Sequence, residues 1–397
     1  MKDKQKKILI IALAVIGQVA LSVVCGAIAG SIAAGKVTDQ FRVTMKTDLS
    51  LGSATGTGVQ DIDDPQTATT SIKLISLSDA QLNPIVVPDS ILDRRSPVAT
   101  LLNAKKIIAA TGLSEAAEIG RAAAVTSDGW FVTPAAILQD IRSEDVVVYY
   151  ENQRYKAEKV ILDNATQAAF IYTGLKGLPA VSFAQHHGQR SGIALWFESQ
   201  NKRFSPSSLI SVRKEVYPSI KSSDVLMRRM VAEGEASDME MGAPLWDSKG
   251  SLVALAESYD GDEIYAIPGS AISASLQSLV SNGEEIKHAS LGVYTLDLNF
   301  SEIEPGGGWP ERGAKIYPTA KLKTGIEAGS AAENAKLQLN DVILQIDRDI
   351  MDGSLDLGDI VMQFRPGANV NLRIWRQGEE FDVAVELGTQ VTSKKMP

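Results

Sequence analysis

Val146-Val147-Val148-Tyr149-Tyr150-Glu151-Asn152-Gln153-Arg154-Tyr155-Lys156-Ala157-Glu158-Lys159-Val160-Ile161 is the stretch that decides the fold class. Val146, Val148 and Tyr150 alternate, a polar turn follows, and Tyr155, Ala157, Lys159 and Ile161 resume the same period of two. That period belongs to strands with one buried face. Farther along, Gly192-Ile193-Ala194-Leu195-Trp196-Phe197 and Leu252-Val253-Ala254-Leu255 are short apolar runs that suit buried strands. Many short strands separated by turn signals predict an all-β barrel or sandwich beyond Pro97.

The last hundred residues have a different rhythm. Ala331 to Ala335 predicts a short helix, Asp341 to Ile346 a strand, and Leu355 to Phe364 an amphipathic helix with Leu357, Ile360, Val361 and Phe364 on one side. Val370 to Trp375 and Glu380 to Leu387 then predict a hairpin joined through Gln377-Gly378. This mixture marks a separate α+β module.

Composition narrows the function classes. The chain has 397 residues, 44% apolar and 22% charged, which suits two or three globular domains. A formal charge of −9 argues against nucleic-acid binding, and Arg228-Arg229 and Lys105-Lys106 read as solvated surface. The single cysteine, Cys25, excludes internal disulfides, and His186, His187 and His288 are too few for a usual zinc site. No cofactor or metal is expected.

Residues 8–34 carry no charge. As a helix they would extend roughly 40 Å, enough to cross a hydrocarbon core of about 30 Å. Lys2, Lys4, Lys6 and Lys7 precede them and orient the N-terminus to the cytoplasm, with the bulk of the chain across the membrane. The reading is an uncleaved anchor; a cleaved signal peptide is the competing one. Residues 36–95 are rich in Ser, Thr, Asp, Gly and Gln and read as a flexible linker, with Ile85 to Pro88 as an extended strap on the following domain.

Four motifs, in order, carry a resemblance. Gly120-Arg121-Ala122-Ala123-Ala124-Val125-Thr126-Ser127-Asp128-Gly129-Trp130-Phe131-Val132-Thr133-Pro134-Ala135-Ala136-Ile137-Leu138 is the first, and Asp163-Asn164-Ala165-Thr166-Gln167-Ala168-Ala169-Phe170-Ile171 the second. Leu178-Pro179-Ala180-Val181 follows, and Met239-Glu240-Met241-Gly242-Ala243-Pro244-Leu245-Trp246-Asp247 is the most specific. Together they resemble the HtrA/Deg family of PDZ-containing trypsin-like serine proteases. Leu291-Gly292-Val293, Glu327 to Ala335 and Asn340-Asp341-Val342-Ile343-Leu344 are similar to that family's PDZ domain. Lys336 and Asn340 stand where glycines are usual, and asparagine tolerates the left-handed conformation best.

The resemblance implies a mainly β chain: a trypsin-like double β-barrel followed by an α+β PDZ domain, with an N-terminal transmembrane helix. The implied boundaries are 1–35 for the anchor, 36–95 for the linker, 96–285 for the protease-type domain, 286–390 for the PDZ domain and 391–397 for a tail. It places the catalytic histidine, aspartate and serine at Ala136, Gln167 and Met241, and an oxyanion-hole glycine at Met239. A serine peptidase needs a hydroxyl nucleophile, an imidazole base, an orienting carboxylate and backbone oxyanion donors. None of the three side chains supplies its part, so the expectation is a degenerate protease that is not an enzyme. Met227, Met230, Met239 and Met241 read as filling for the emptied cleft, with a soft Cu(I) site as the alternative.

The expected function is protein binding by a membrane-tethered adaptor or scaffold, with C-termini or extended segments of partners captured by strand addition. Leu291, Gly292 and Val293 would supply backbone donors to a carboxylate, and Leu357 and Val361 would line the opposite wall. The alternatives are a regulatory or chaperone-like subunit co-assembling with active relatives, in homo- or hetero-trimers, and residual endopeptidase activity. The expected location is extracytoplasmic, periplasmic or at the cell surface.

Overall fold

Seven strands, all but the fifth carrying buried apolar residues, begin the β structure: β1 (Val98–Asn103), β2 (Glu118–Ala124), β3 (Trp130–Pro134), β4 (Val146–Tyr150), β5 (Gln153–Lys156), β6 (Lys159–Asp163) and β7 (Ala168–Tyr172). They pair antiparallel in the order β6-β7-β3-β2-β1-β4-β5. Leu101, Phe131, Val146, Val148 and Ile171 fill their core. Glu151 and Asn152 take φ of 47° and 62°, the left-handed pair of a two-residue hairpin turn whose twist matches its strands.

The expected continuous run from Tyr155 to Ile161 is two strands, not one. β5 pairs with β4, whereas β6 pairs with β7. The change of partner falls at Ala157 and Glu158, whose N–H groups donate to Val146 O at 3.0 Å and to Tyr172 O at 2.8 Å. Ala157 and Ile161 are both buried but Lys159 between them is exposed, so the period of two breaks at this change of partner.

The computed structural model describes residues 87–92, 95–107, 115–184, 191–198, 204–214, 220–234, 240–299 and 308–396. These fall within one contact unit, Leu82–Pro397. Among the described residues no helix is long and apolar enough to cross a membrane, and the run 8–34 lies outside them. Within the expected linker, Asp89–Leu92 form a short helix, α1, whose Ile91 is 2% exposed in the main core.

The next strands are β8 (Ala194–Glu198), β9 (Phe204–Lys214), β10 (Ile220–Ser222), β11 (Arg229–Glu233), β12 (Pro244–Trp246), β13 (Leu252–Asp260) and β14 (Glu263–Pro268). All but β10 close a barrel in the order β11-β14-β13-β12-β8-β9. Leu195, Phe197, Leu209, Met230, Leu245 and Val253 fill it. A further cluster draws Phe170 of β7 together with Trp196, Trp246, Leu255 and Ile267 of the barrel, which joins the two halves. Helix α2 (Gly269–Ser281) buries Ile272, Ser275 and Leu279, spaced along one helical face.

The C-terminal module holds β15 (Lys287–Ser290), β16 (Tyr294–Asp297), β17 (Ala314–Ile316), α3 (Ala331–Asn334), β18 (Val342–Ile346), β19 (Asp349–Ile350), α4 (Leu357–Val361), β20 (Asn369–Arg376), β21 (Glu379–Glu386), β22 (Gly388–Val391) and β23 (Ser393–Lys395). Its sheet runs β10-β16-β17-β18-β20-β21, with β19 on β18, so β10 from the preceding domain supplies an edge strand. The β20–β21 hairpin forms as expected, with Gln377 and Gly378 both at positive φ. Of the residues expected as a tail, Val391 ends β22 and Ser393–Lys395 form β23. β22 pairs with β15, and β23 pairs with β6 of the first sheet.

Asp163 ties these pieces together. Its buried carboxylate accepts from Ala165 N–H (3.0 Å) and from the hydroxyls of Thr166 (2.7 Å), Ser275 (2.6 Å) and Thr392 (2.6 Å), and it meets His288 Nε2 at 2.9 Å. Burial pushes the Asp163 carboxyl up, but His288, Ser275 and Thr392 outweigh it and hold the group well below the usual carboxylate range.

Candidate functional site

Of the positions expected to answer to a catalytic triad, Ala136 and Gln167 flank the turn after β3, and Met241 lies against Arg121 of β2. Pro134 ends β3, and Ala135–Leu138 form a 3-10 turn that buries Ile137 and Leu138 and leaves Ala136 exposed. Ala135 N–H donates to Gln167 O at 2.8 Å. Gln167 is exposed, with φ of 64°, and its side-chain amide donates to Asn164 O at 2.8 Å. Met241 O accepts from Arg121 N–H at 2.8 Å, and the Met241 side chain packs half-buried on the first-sheet core. Met239, and with it the expected oxyanion position, lies outside the described residues, as do Ser237, His186 and His187.

Around this turn the polar groups are paired. The Arg121 guanidinium grips Glu240 and donates to Thr100 Oγ1 at 2.8 Å, and Arg229 grips Glu257. Burial, then the Glu240 charge, pushes the Tyr259 hydroxyl well above its ordinary value. The described methionines of the expected cluster lie apart in the packing. Met230 lies inside the barrel, Met241 borders the other core and Met227 is exposed.

The loop expected to receive a carboxylate is the second candidate site, and it holds one. Leu291 N–H and Gly292 N–H donate to Asp224 Oδ1 at 3.0 and 3.2 Å, and the hydroxyls of Ser223 and Ser290 donate to the same carboxylate. Val293 N–H donates to Ser223 Oγ at 3.1 Å, and Ser223 N–H returns a bond to Val293 O at 2.9 Å. Gly292 sits at φ +77°, and a Cβ there would stand 2.3 Å from Ser330 Cβ, so only glycine fits this loop. Next to it, β10 pairs antiparallel with β16, Ser222 opposite Tyr294 and Ile220 opposite Leu296.

Helix α4 forms the facing wall. Leu357 and Val361 are buried in the module's own core, so they support that wall from beneath. Its acidic N-terminus is what reaches across. Lys221 Nζ meets Asp356 at 2.9 and 3.1 Å, and Arg228 Nε meets Asp359 at 2.9 Å, all four residues buried. Sequence reading missed these pairs. Arg228, expected on the solvated surface, is 4% exposed, whereas Lys105 and Lys106 are exposed as expected. The available signal was Asp356-x-x-Asp359, a capping box whose second function is to receive cations.

Residues 311–387 match the family described as PDZ domain. The chain is 25% identical over 285 residues to the "probable periplasmic serine endoprotease DegP-like" of Rhizobium meliloti (strain 1021), covering 69% of this chain and 54% of that protein. A protein of the same name from Halomonas elongata is 22% identical over 293 residues, covering 71% and 58%. The chain is a homologue of the DegP/HtrA-type serine proteases and carries a PDZ domain. It spans about half the length of the curated relatives it matches. Among solved structures, the HtrA-type protease AlgW with a tripeptide aligns at a TM-score of 0.53 and 19% identity, covering 76% of this chain and 96% of that one. The same protease with a decapeptide aligns at 0.51 and 17%, covering 75% and 97%. These likenesses establish the HtrA-type fold, mainly β and trypsin-like with a PDZ domain.

The relatives also bring a correction. They are named as serine endoproteases, and this overturns the expectation, drawn from Ala136, Gln167 and Met241, that the chain is not an enzyme. What those positions of the HtrA-type fold establish is narrower: none of the three side chains is a hydroxyl, an imidazole or a carboxylate.

Proposed function

We propose that this chain works outside the cytoplasm as an HtrA-type receptor for extended peptide segments, taken by its PDZ domain through strand addition beside β16. Leu291, Gly292 and Val293 would face the carboxylate end of the peptide, and the wall backed by Leu357 and Val361 would flank its side chains. The run 8–34 would hold the receptor at a membrane with its N-terminus in the cytoplasm. The carrying observation is that a carboxylate and a three-residue strand already fit this loop and edge.

The test is a peptide library ending in free carboxylates, screened against the full chain. Selective binding that weakens at least 10-fold when the peptide's C-terminus is amidated supports the reading. The absence of any selective peptide refutes it. Peptide hydrolysis, the activity in the relatives' names, is the second reading, favoured by the trypsin-like HtrA fold. Its chemistry would have to come from groups other than Ala136, Gln167 and Met241. Release of fluorescence from labelled casein, lost on substitution of one serine, would decide for it.

A further inference from the structure

The occupant of the groove belongs to the chain itself. Residues 220–222 add a strand to β16, and Asp224, two residues on, places its carboxylate on the Leu291 and Gly292 N–H groups. The direction is that of a captured peptide, antiparallel to β16 with the carboxylate at the loop. Every charged group on the segment is answered. Asp224 has the loop, and Lys221 has Asp356 at the start of α4. Gly358 lets that helix approach closely, because a Cβ there would stand 2.8 Å from Val225 O. Past the segment, Leu226 N–H donates to Ala165 O at 2.9 Å, which fixes its far end to the protease-type domain.

A buried lysine and a buried aspartate are costly to place between two domains unless the fit is specific. An apolar interface would hold the domains together without them. From this geometry we infer that residues 220–224 are an internal ligand of the PDZ groove. The external ligand they stand in for is an extended segment that ends in a carboxylate and carries a lysine or arginine three residues before it. This rests on the peptide-receptor reading above and adds two properties to it: the class of ligand, and a competitor built into the chain. A partner binds by displacing Ile220–Asp224, and displacement breaks the β10–β16 pairing, the contact through which the protease-type domain extends the PDZ sheet.

The experiment measures binding of a labelled peptide of the sequence Ser-Ile-Lys-Ser-Ser-Asp, free at its C-terminus, to the full chain by fluorescence anisotropy. Asp224→Ala removes the competitor's carboxylate and is expected to tighten binding at least 10-fold over wild type. Replacing the peptide's lysine by glutamate is expected to weaken binding at least 10-fold. As a counterpart that strengthens the contact, Ser222→Cys with Tyr294→Cys, in a Cys25→Ser background, puts a disulfide across a directly paired register position. Binding should vanish when this bond is oxidised and return on reduction, which keeps the inference testable if Asp224→Ala does not fold. Equal binding by wild type and Asp224→Ala, or undiminished binding by the oxidised pair, overturns the internal ligand. If wild type, Asp224→Ala and the reduced pair all fail to bind this and every library peptide, the receptor reading itself falls and takes the inference with it.

Discussion

Replacing Asp163 by asparagine isolates what one buried carboxylate does for the whole assembly. The substitution keeps the shape but turns Oδ2, which receives Thr166, Ser275 and His288, into a donor. Two of those partners are hydroxyls that can rotate to accept. The loss is therefore concentrated in the charge and in the His288 contact. Removing one member of a buried pair costs about 3–5 kcal/mol. Hydroxyl reorientation recovers part of this, so the expected destabilisation at pH 7 is about 3 kcal/mol, against a total of about 5–15 for a typical domain. The folded carboxyl is held below its ordinary value, so its contribution is complete above the unfolded pKa of about 3.9 and is lost as pH falls through the folded value. The gap between wild type and Asp163→Asn should therefore narrow by about 1 kcal/mol between pH 7 and pH 3. Urea midpoints followed by tryptophan fluorescence at both pH values measure this. A gap under about 1 kcal/mol at pH 7, or one equally wide at pH 3, refutes the reasoning.

Two further expectations concern backbone pairing. Deleting residues 393–397 removes β23, and hydrogen exchange should then lose protection at Ile161 to Asp163, its partners in β6. Gln377 occupies φ 52° at the first position of its hairpin turn, so Gln377→Asn should raise stability by about 0.5 kcal/mol in a denaturant titration, and an unchanged midpoint would count against the turn assignment.

The parts of the fold legible in the sequence are those where a local pattern and the final pairing agree. Gln377-Gly378 announced its hairpin because that turn demands two left-handed residues. Asn340 and Lys336, standing where glycines are usual, do sit at φ 73° and 59°. The predicted helix from Leu355 to Phe364 overran, because Asp356 and Asp359 cap a helix that begins at Leu357, and Gln363 and Phe364 already bond three residues back. Leu355 and Phe364 keep the apolar period from the flanking turns. Ile220-Lys221-Ser222 and Ser393-Lys394-Lys395 gave no strand signal, being three residues long and rich in polar side chains. Their partners lie far away in the chain, and no local period reports a distant edge. The same holds for Lys221 and Arg228, whose burial depends on carboxylates more than 130 residues farther on, as with Lys221 and Asp356 at a separation of 135.

The pairing of β23 with β6 has a consequence for the order in which the molecule can be completed. Thr392 reaches Asp163 across 229 residues, a contact of very long sequence range. Contacts of that range form late, because the intervening loop must be closed before they contribute. As the chain emerges N-terminus first, β6 stands as an open edge and Asp163 lacks its Thr392 partner until residues 392–395 arrive. An open edge is a template for pairing with another chain. The PDZ module, lying between the two halves of this bond, therefore has to be made before the first sheet is finished. Delivery of residues 392–395 is the event that seals the protease-type domain.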